Sequence, residues 1–186
     1  GGHSHIIEVL DYDRFRLLGH TRDDAAGEAF DKVARALGLP YPGGPELEKL
    51  ALEGDPKKYP FHSALNSSAE EADFSFSGIK TAVVNLMHNA AQKGEALSKA
   101  DIAASFQRAV CDTLTLKAVH AAKEHGFNTL ALAGGVSANR ALRSSLARAC
   151  EEQGIRFCCP DFRYCTDNAA MIACAGHYAL MAGELS

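Results

Sequence analysis

The residues best suited to handling an anion are Gly134 and Gly135. They close the apolar run Leu130-Ala131-Leu132-Ala133 and precede Val136-Ser137-Ala138-Asn139-Arg140, where an amphipathic segment opens. That pattern predicts a strand, a tight turn and a helix starting near Ser137. Glycine allows positive φ and lets a ligand approach bare backbone. A helix start adds unpaired N–H groups and the positive end of the dipole, so phosphate is the natural guest. A purely steric turn fits the same two glycines.

A second set of candidates is carboxylates. Asp24, Glu28 and Asp31 repeat at helical spacing within the segment 21–38. On an exposed helix such neighbours repel by about 0.2–0.5 kcal/mol per pair. Either water solvates this stripe or it accepts hydroxyl or metal contacts. Asp167 stands at the start of a last helical segment, about 166–181, after the strand-like run Ile155-Arg156-Phe157-Cys158-Cys159 and the break at Pro160. A dipole contribution of about 0.3–1 kcal/mol is a sufficient structural reason for a carboxylate there. Ligands in open parallel α/β sheets sit beyond the carboxyl ends of the strands. This predicts that Gly134, Gly135, Asn139 and Asp167 converge, with a cation between carboxylate and phosphate. His3 and His5 share a strand face without a third ligand nearby, so a polar strand start accounts for them.

The elements that must position these residues follow from patterning. His5–Leu10 and Arg14–Gly19 flank the turn residues Asp11-Tyr12-Asp13 and predict an antiparallel hairpin. The segment 21–38 predicts a helix with a capping box at Thr21 and Asp24, a C′ glycine at Gly38 and a core stripe of Ala26, Phe30, Val33 and Leu37. Leu39–Pro45, with three prolines and two glycines, predicts a rigid loop without regular structure. Residues 45–97 read as a helical insertion. Ser98 and Asp101 open a long helix that Gly126 ends, with Ile102, Phe106, Val110, Thr113 and Lys117 along one side.

Composition bounds the function. A net charge of −4 and a pI near 6.1 argue against a self-sufficient nucleic-acid binder, unless another domain or partner supplies basic surface. No apolar run reaches the ~18 residues that span a membrane, so no membrane partner is expected. Six cysteines lack zinc-site spacing and read as small hydrophobes in a reducing cytoplasm. The chain opens on Gly1-Gly2 without a methionine, as a piece of a longer protein would.

Five stretches stand in a recognisable order: Asp23-Asp24-Ala25-Ala26-Gly27-Glu28-Ala29-Phe30-Asp31-Lys32, Tyr41-Pro42-Gly43-Gly44-Pro45, Phe74-Ser75-Phe76-Ser77-Gly78-Ile79-Lys80-Thr81, Gly134-Gly135-Val136-Ser137-Ala138-Asn139 and Cys165-Thr166-Asp167-Asn168-Ala169-Ala170-Met171. With them the chain closely resembles the bacterial tRNA threonylcarbamoyladenosine transferases, the TsaD or glycoprotease family once labelled O-sialoglycoprotein endopeptidases. The resemblance covers nearly all of residues 1–186. It implies an actin-like ATPase (ASKHA) fold of two ribonuclease-H-like halves, of which this chain is the C-terminal one. It also implies transfer of a threonylcarbamoyl group from threonylcarbamoyl-adenylate to N6 of adenosine 37 in tRNAs reading ANN codons.

By motif, the resemblance makes Gly1, Gly2 and His3 part of a Ser-Gly-Gly-His phosphate turn whose serine is absent here. It makes Asp31 a ligand-hydroxyl-binding aspartate, Gly44 a substrate-binding glycine, Asn139 a ligand-binding asparagine, and Asp167 a ligand of an iron or zinc ion. Implied ligands are one divalent metal ion and adenine nucleotide or threonylcarbamoyl-adenylate. Implied partners are tRNA and proteins of the same modification pathway, including a paralogous actin-like subunit that forms a heterodimer. The family's His-x-x-x-His metal pair has no counterpart; His120 and His125 are five apart and elsewhere. One aspartate cannot hold an ion alone, so the chain is expected to be inactive by itself. Alternatives are a metallopeptidase, a non-catalytic assembly paralogue, or half of a sugar kinase of the actin-like class.

Overall fold

The structure, a computed structural model, describes residues 2–62 and 71–183. Strands β1 (His5–Val9) and β2 (Phe15–His20) form the antiparallel hairpin expected, with a register shift between Ile6 and Ile7. Helices α1 (Ala26–Ala36), α2 (Gly43–Ala51), α3 (Ser77–Lys93) and α4 (Lys99–Glu124) follow. Then come β3 (Thr129–Ala131), α5 (Arg140–Glu152), β4 (Arg156–Cys158) and α6 (Ala169–Met181). β3 and β4 pair in parallel, with Leu130 opposite Phe157. The chain is therefore α/β, with two separate two-stranded sheets among the described residues.

α4 divides the core in two. One cluster joins α1, α2, α3 and the first half of α4, where Phe30 meets Phe106 edge-on at 5.2 Å. The other joins the second half of α4 to Leu142, Leu146 and Cys150 of α5 and to Ile155. A one-sided stripe on α4 is thus corrected. Ala103, Ala104, Cys111, Val119 and Ala122 are buried as well, because partners pack on several of its faces. α2 and α3, from the segment 45–97, belong to the first cluster. Helix-length limits exclude nothing but a helical span: no described helix is long and apolar enough to cross a membrane.

Local punctuation holds in part. The α1 stripe is buried as expected, and Gly38 takes φ +78° after it. The capping box lies elsewhere than Thr21 and Asp24. Glu28 reaches back to accept the Ala25 N–H at 2.9 Å, so α1 starts four residues later than the sequence suggested. Thr21 Oγ1 instead donates to the Asp24 carbonyl at 2.7 Å. Ser98 caps α4 as expected, accepting from Asp101 N–H at 3.1 Å. The cysteines are free, and those at 111, 150 and 165 are buried. Burial pushes the Cys111 thiol up to about 12, so it stays protonated.

A candidate nucleotide-binding wall

The rigid loop expected at 39–45 ends early, because Gly43, Gly44 and Pro45 form the first turn of α2. Proline is tolerated there since its missing N–H would be unpaired anyway. What starts this helix is Asp31, in the middle of α1. Its Oδ1 accepts the Gly43 N–H at 2.9 Å and the Gly44 N–H at 3.3 Å. Gly43 must be glycine, because a Cβ would stand 2.6 Å from Ala34 Cβ and 3.0 Å from Asp31 Cα. A Cβ on Gly44 would meet nothing within 4 Å, so that side of the turn is open. Asp31 and Gly44, 13 residues apart in sequence, therefore form one corner.

The acidic stripe is occupied by donors, although Glu28 is also exposed to solvent. Asp24 binds Lys80 Nζ at 2.9 Å and also Lys32 Nζ. Burial would raise its pKa, but hydrogen bonds from Lys32, Lys80 and Ser77 outweigh it and hold the carboxyl at about 2. Asp23 caps α3, accepting from Phe76 and Ser77 N–H at 2.8 and 3.1 Å and from the Ser75 hydroxyl at 2.6 Å. These bonds lower the Asp23 pKa against the opposing effect of burial. Repulsion along the stripe is offset because each carboxylate has its own donors.

The turn after β3 departs from the expected helix start. Gly134 has φ +87°, and Gly135–Ala138 form a 3₁₀ turn before α5 begins at Arg140. Asn139 is the N-cap: its Oδ1 accepts the Leu142 N–H at 2.9 Å. Its Nδ2 donates to Gln107 Oε1 at 2.8 Å, tying the turn to α4. The Arg140 N–H goes to Glu48 Oε1 at 2.6 Å. Side chains thus take two of the N–H groups that an anion would have used, which corrects the helix start as a ready cradle. What stays open is the glycine backbone: a Cβ on Gly134 or Gly135 would meet nothing within 4 Å. Ser137 Oγ is wholly buried and makes no hydrogen bond among the described residues.

Glu48 joins the two places. It sits one helical turn after Gly44 and bonds the residue after Asn139, so α2 runs from the Asp31 corner to the Asn139 turn. Sequence reading passed over Glu48, although its i+4 spacing from Gly44 was visible. It also passed over Arg143, four residues after Asn139. Arg143 donates to the Ser137 carbonyl at 2.5 Å and the Pro160 carbonyl at 2.7 Å, meets Cys165 Sγ at 3.1 Å, and lies 4.2 Å over the Phe162 ring. That guanidinium is the link between the Gly134-Gly135 turn and the segment leading to Asp167.

Of the N-terminal residues, Gly1 lies outside the described residues. Gly2 is open on its α-carbon, and the His3 ring lies 5.4 Å from that of His5. Ser4 holds this stretch to the start of α1, its Oγ accepting from Ala26 N–H at 3.0 Å and its carbonyl from Thr21 N–H at 2.9 Å. Asp167 is exposed and precedes α6, whose N-cap is Asn168, bonded to Met171 N–H at 3.0 Å. The expected start near Thr166 is corrected by three residues. Asp167 alone does not make a metal site: among the described residues no three His, Cys, Asp or Glu side chains come together.

Comparison with known proteins decides the family. A family model described as TsaD, tRNA N6-adenosine threonylcarbamoyltransferase, matches residues 1–174. The chain belongs to this family. The tRNA N6-adenosine threonylcarbamoyltransferase of Caldicellulosiruptor saccharolyticus is 51% identical over 186 residues, all of this chain and 54% of that protein. That of Moorella thermoacetica is 53% identical over 178 residues, 96% of this chain and 52% of the relative. The chain spans about half the length of these curated relatives. Among solved structures, full-length HypF in its phosphate- and nucleotide-bound form aligns at TM-score 0.62 and 22% identity, over 82% of this chain and 20% of HypF. HypF of T. kodakarensis aligns at TM-score 0.61 and 20% identity, over 90% of this chain and 21% of that one. At such identity the likeness is one of fold.

Proposed function

We propose that this chain is the C-terminal, ribonuclease-H-like half of an actin-like (ASKHA) tRNA threonylcarbamoyltransferase and forms one wall of its nucleotide site. The observation that carries this reading is the family match across residues 1–174, with relatives about 50% identical over the whole chain. The geometry is compatible with it. Asp31 and Gly44 form an open corner, α2 leads from there to Asn139, and the Gly134-Gly135 backbone is bare.

In this reading the adenylate's phosphate lies against backbone N–H groups of Gly1, Gly2, His3, Gly134 and Gly135, and a ligand hydroxyl bonds Asp31. Asn139 and Gly44 flank the bound group. The N6 amine of adenosine 37 attacks the carbamoyl carbonyl carbon, the bond to the adenylate phosphate oxygen breaks, and AMP leaves as the amine loses a proton. Backbone donors fixed before reaction stabilise the charge that develops on the carbonyl oxygen and phosphate. A divalent ion, iron or zinc, would take Asp167 as one ligand and polarise an oxygen. Because the described residues supply no further ligand set, no step is routed through it. tRNA and a paralogous actin-like subunit are the proposed partners in a cytoplasmic pathway.

The test is adenine-nucleotide binding by titration calorimetry on the native-length protein. Asp31→Asn keeps an acceptor for the Gly43 N–H but removes the charge. It is expected to weaken binding at least about 10-fold, the scale of one charge-assisted hydrogen bond of ~1.5–3 kcal/mol. Unchanged affinity would remove Asp31 from the site.

A further inference from the structure

A cavity of about 980 Å³ opens between α4, α5 and the segment 56–62, away from the Asp31 corner. A second, of about 390 Å³, shares Pro56, Arg108, Asp112, Ser145 and Arg148 with it, so the two are lobes of one groove. The smaller lobe reaches Gln107 and Cys111, the residues that touch the Asn139 side chain from α4. The larger lobe reaches Lys123. From Gln107 to Lys123 the α4 wall runs about 24 Å at 1.5 Å per residue.

The groove's charge opposes that of the chain. It holds Lys57, Arg108, Lys123 and Arg148 against Asp112 and Glu152, whereas the chain has 19 Lys and Arg against 23 Asp and Glu. All four cationic residues are exposed. The Lys57 and Arg148 side chains form no ion pair within the described residues. Among the described residues Arg108 pairs with Asp112 alone, at 3.2 Å, an exposed i,i+4 contact of about 0.3–0.5 kcal/mol that a phosphate can replace. Tyr59 and Phe61, rings 5.8 Å apart, add aromatic surface to the same walls. A small anion is held by donors converging on one point. Here the cations are spread along an open trough, which suits a chain of phosphates.

We infer that this groove binds the phosphate backbone of the RNA substrate, and that it leads the strand toward the Asn139 turn. The inference rests on the transferase reading above. It also gives an acidic chain a place to meet RNA, since this trough carries four Lys and Arg against two acidic residues.

The experiment uses native-length protein and a labelled tRNA that reads ANN codons, with affinity measured across a series of salt concentrations. Arg108→Glu with Arg148→Glu is expected to weaken tRNA binding at least about 10-fold and to flatten the salt dependence by about two phosphate contacts. Adenine-nucleotide affinity should not change. Arg108→Lys with Arg148→Lys keeps the charge and should stay within about 5-fold of wild type. Unchanged tRNA affinity and salt slope in the Glu variant overturn the inference and leave the transferase reading intact. So does an equal loss in the Lys variant, which would indicate packing rather than charge. Loss of a partner protein with tRNA binding retained overturns it too, in favour of a protein-docking trough. A wild-type protein that binds no tRNA overturns both readings.

Discussion

α1 carries one of the two carboxylates that the family resemblance singles out, Asp31, and α6 follows the other, Asp167; the two helices make a contrast. α1 buries Ala26, Ala29, Phe30, Val33 and Ala34, and its Asp31 is fixed by two backbone N–H groups of α2. α6 is slightly longer and more apolar, yet none of its residues is buried. Ile172 is 73% exposed and Met181 74% exposed. Its Tyr178 stacks on Tyr12 of the hairpin, ring centroids 3.6 Å apart. A helix becomes part of a site when a partner covers one face and fixes its rotation. Hydrophobicity without an amphipathic stripe leaves that face undefined.

Four measurements test this contrast. Phe30→Ala should lower unfolding free energy by about 3–5 kcal/mol, whereas Ile172→Ala should stay within about 0.5 kcal/mol. Equal losses in urea titrations would mean that α6 is packed in solution. Gly43→Ala should cost about 1–3 kcal/mol by forcing α2 off α1. Gly176→Ala, with nothing within 4 Å of its Cβ, should instead gain about 0.5–1 kcal/mol of helix stability. A Gly43→Ala midpoint at or above wild type would show that the two helices can separate freely.

Asp31→Ala leaves the first N–H groups of α2 without their acceptor and should cost about 0.5–2 kcal/mol. Asp167→Ala should change stability by less than about 0.5 kcal/mol. A larger effect at position 167 would reveal a partner for that carboxylate. The smallest expected signal is in acid. Asp24 has a folded pKa of about 2 against an ordinary 3.8. A depressed pKa stabilises above the unfolded value and is lost as pH falls through the folded one. Asp24→Asn should therefore narrow the stability difference between pH 5 and pH 2, read by thermal unfolding, and an unchanged difference would assign the acid sensitivity to other carboxylates.

Much of the fold was legible because its signals are local. The β1–β2 hairpin, the α1 stripe, the Ser98 cap and the parallel β3–β4 pair all follow from residues close together in sequence. The candidate site was legible only as separate pieces. Asp31 and Gly44 were identified through family motifs, but nothing local says that one carboxylate caps the helix holding the other. Glu48 and Arg143 were missed for the same reason. Each bonds backbone from a distant segment, Arg140 in one case and Pro160 in the other. The helix after Gly134-Gly135 was placed too early because an asparagine cap and a 3₁₀ turn leave the same apolar pattern as a longer helix.

By itself, then, the sequence determined the helices, the hairpin, the glycine turn and membership of the transferase family, since periodicity, caps and ordered motifs are written along the chain. Only tertiary structure decided which polar groups are occupied. Asp31 and Glu48 satisfy backbone N–H groups of other segments and Asn139 bonds the Gln107 side chain of α4, while the glycine backbone at 134–135 stays open and a basic trough gathers along α4. A hydrogen bond between residues far apart in sequence exists only after the core has brought their elements together, and no local spacing encodes it.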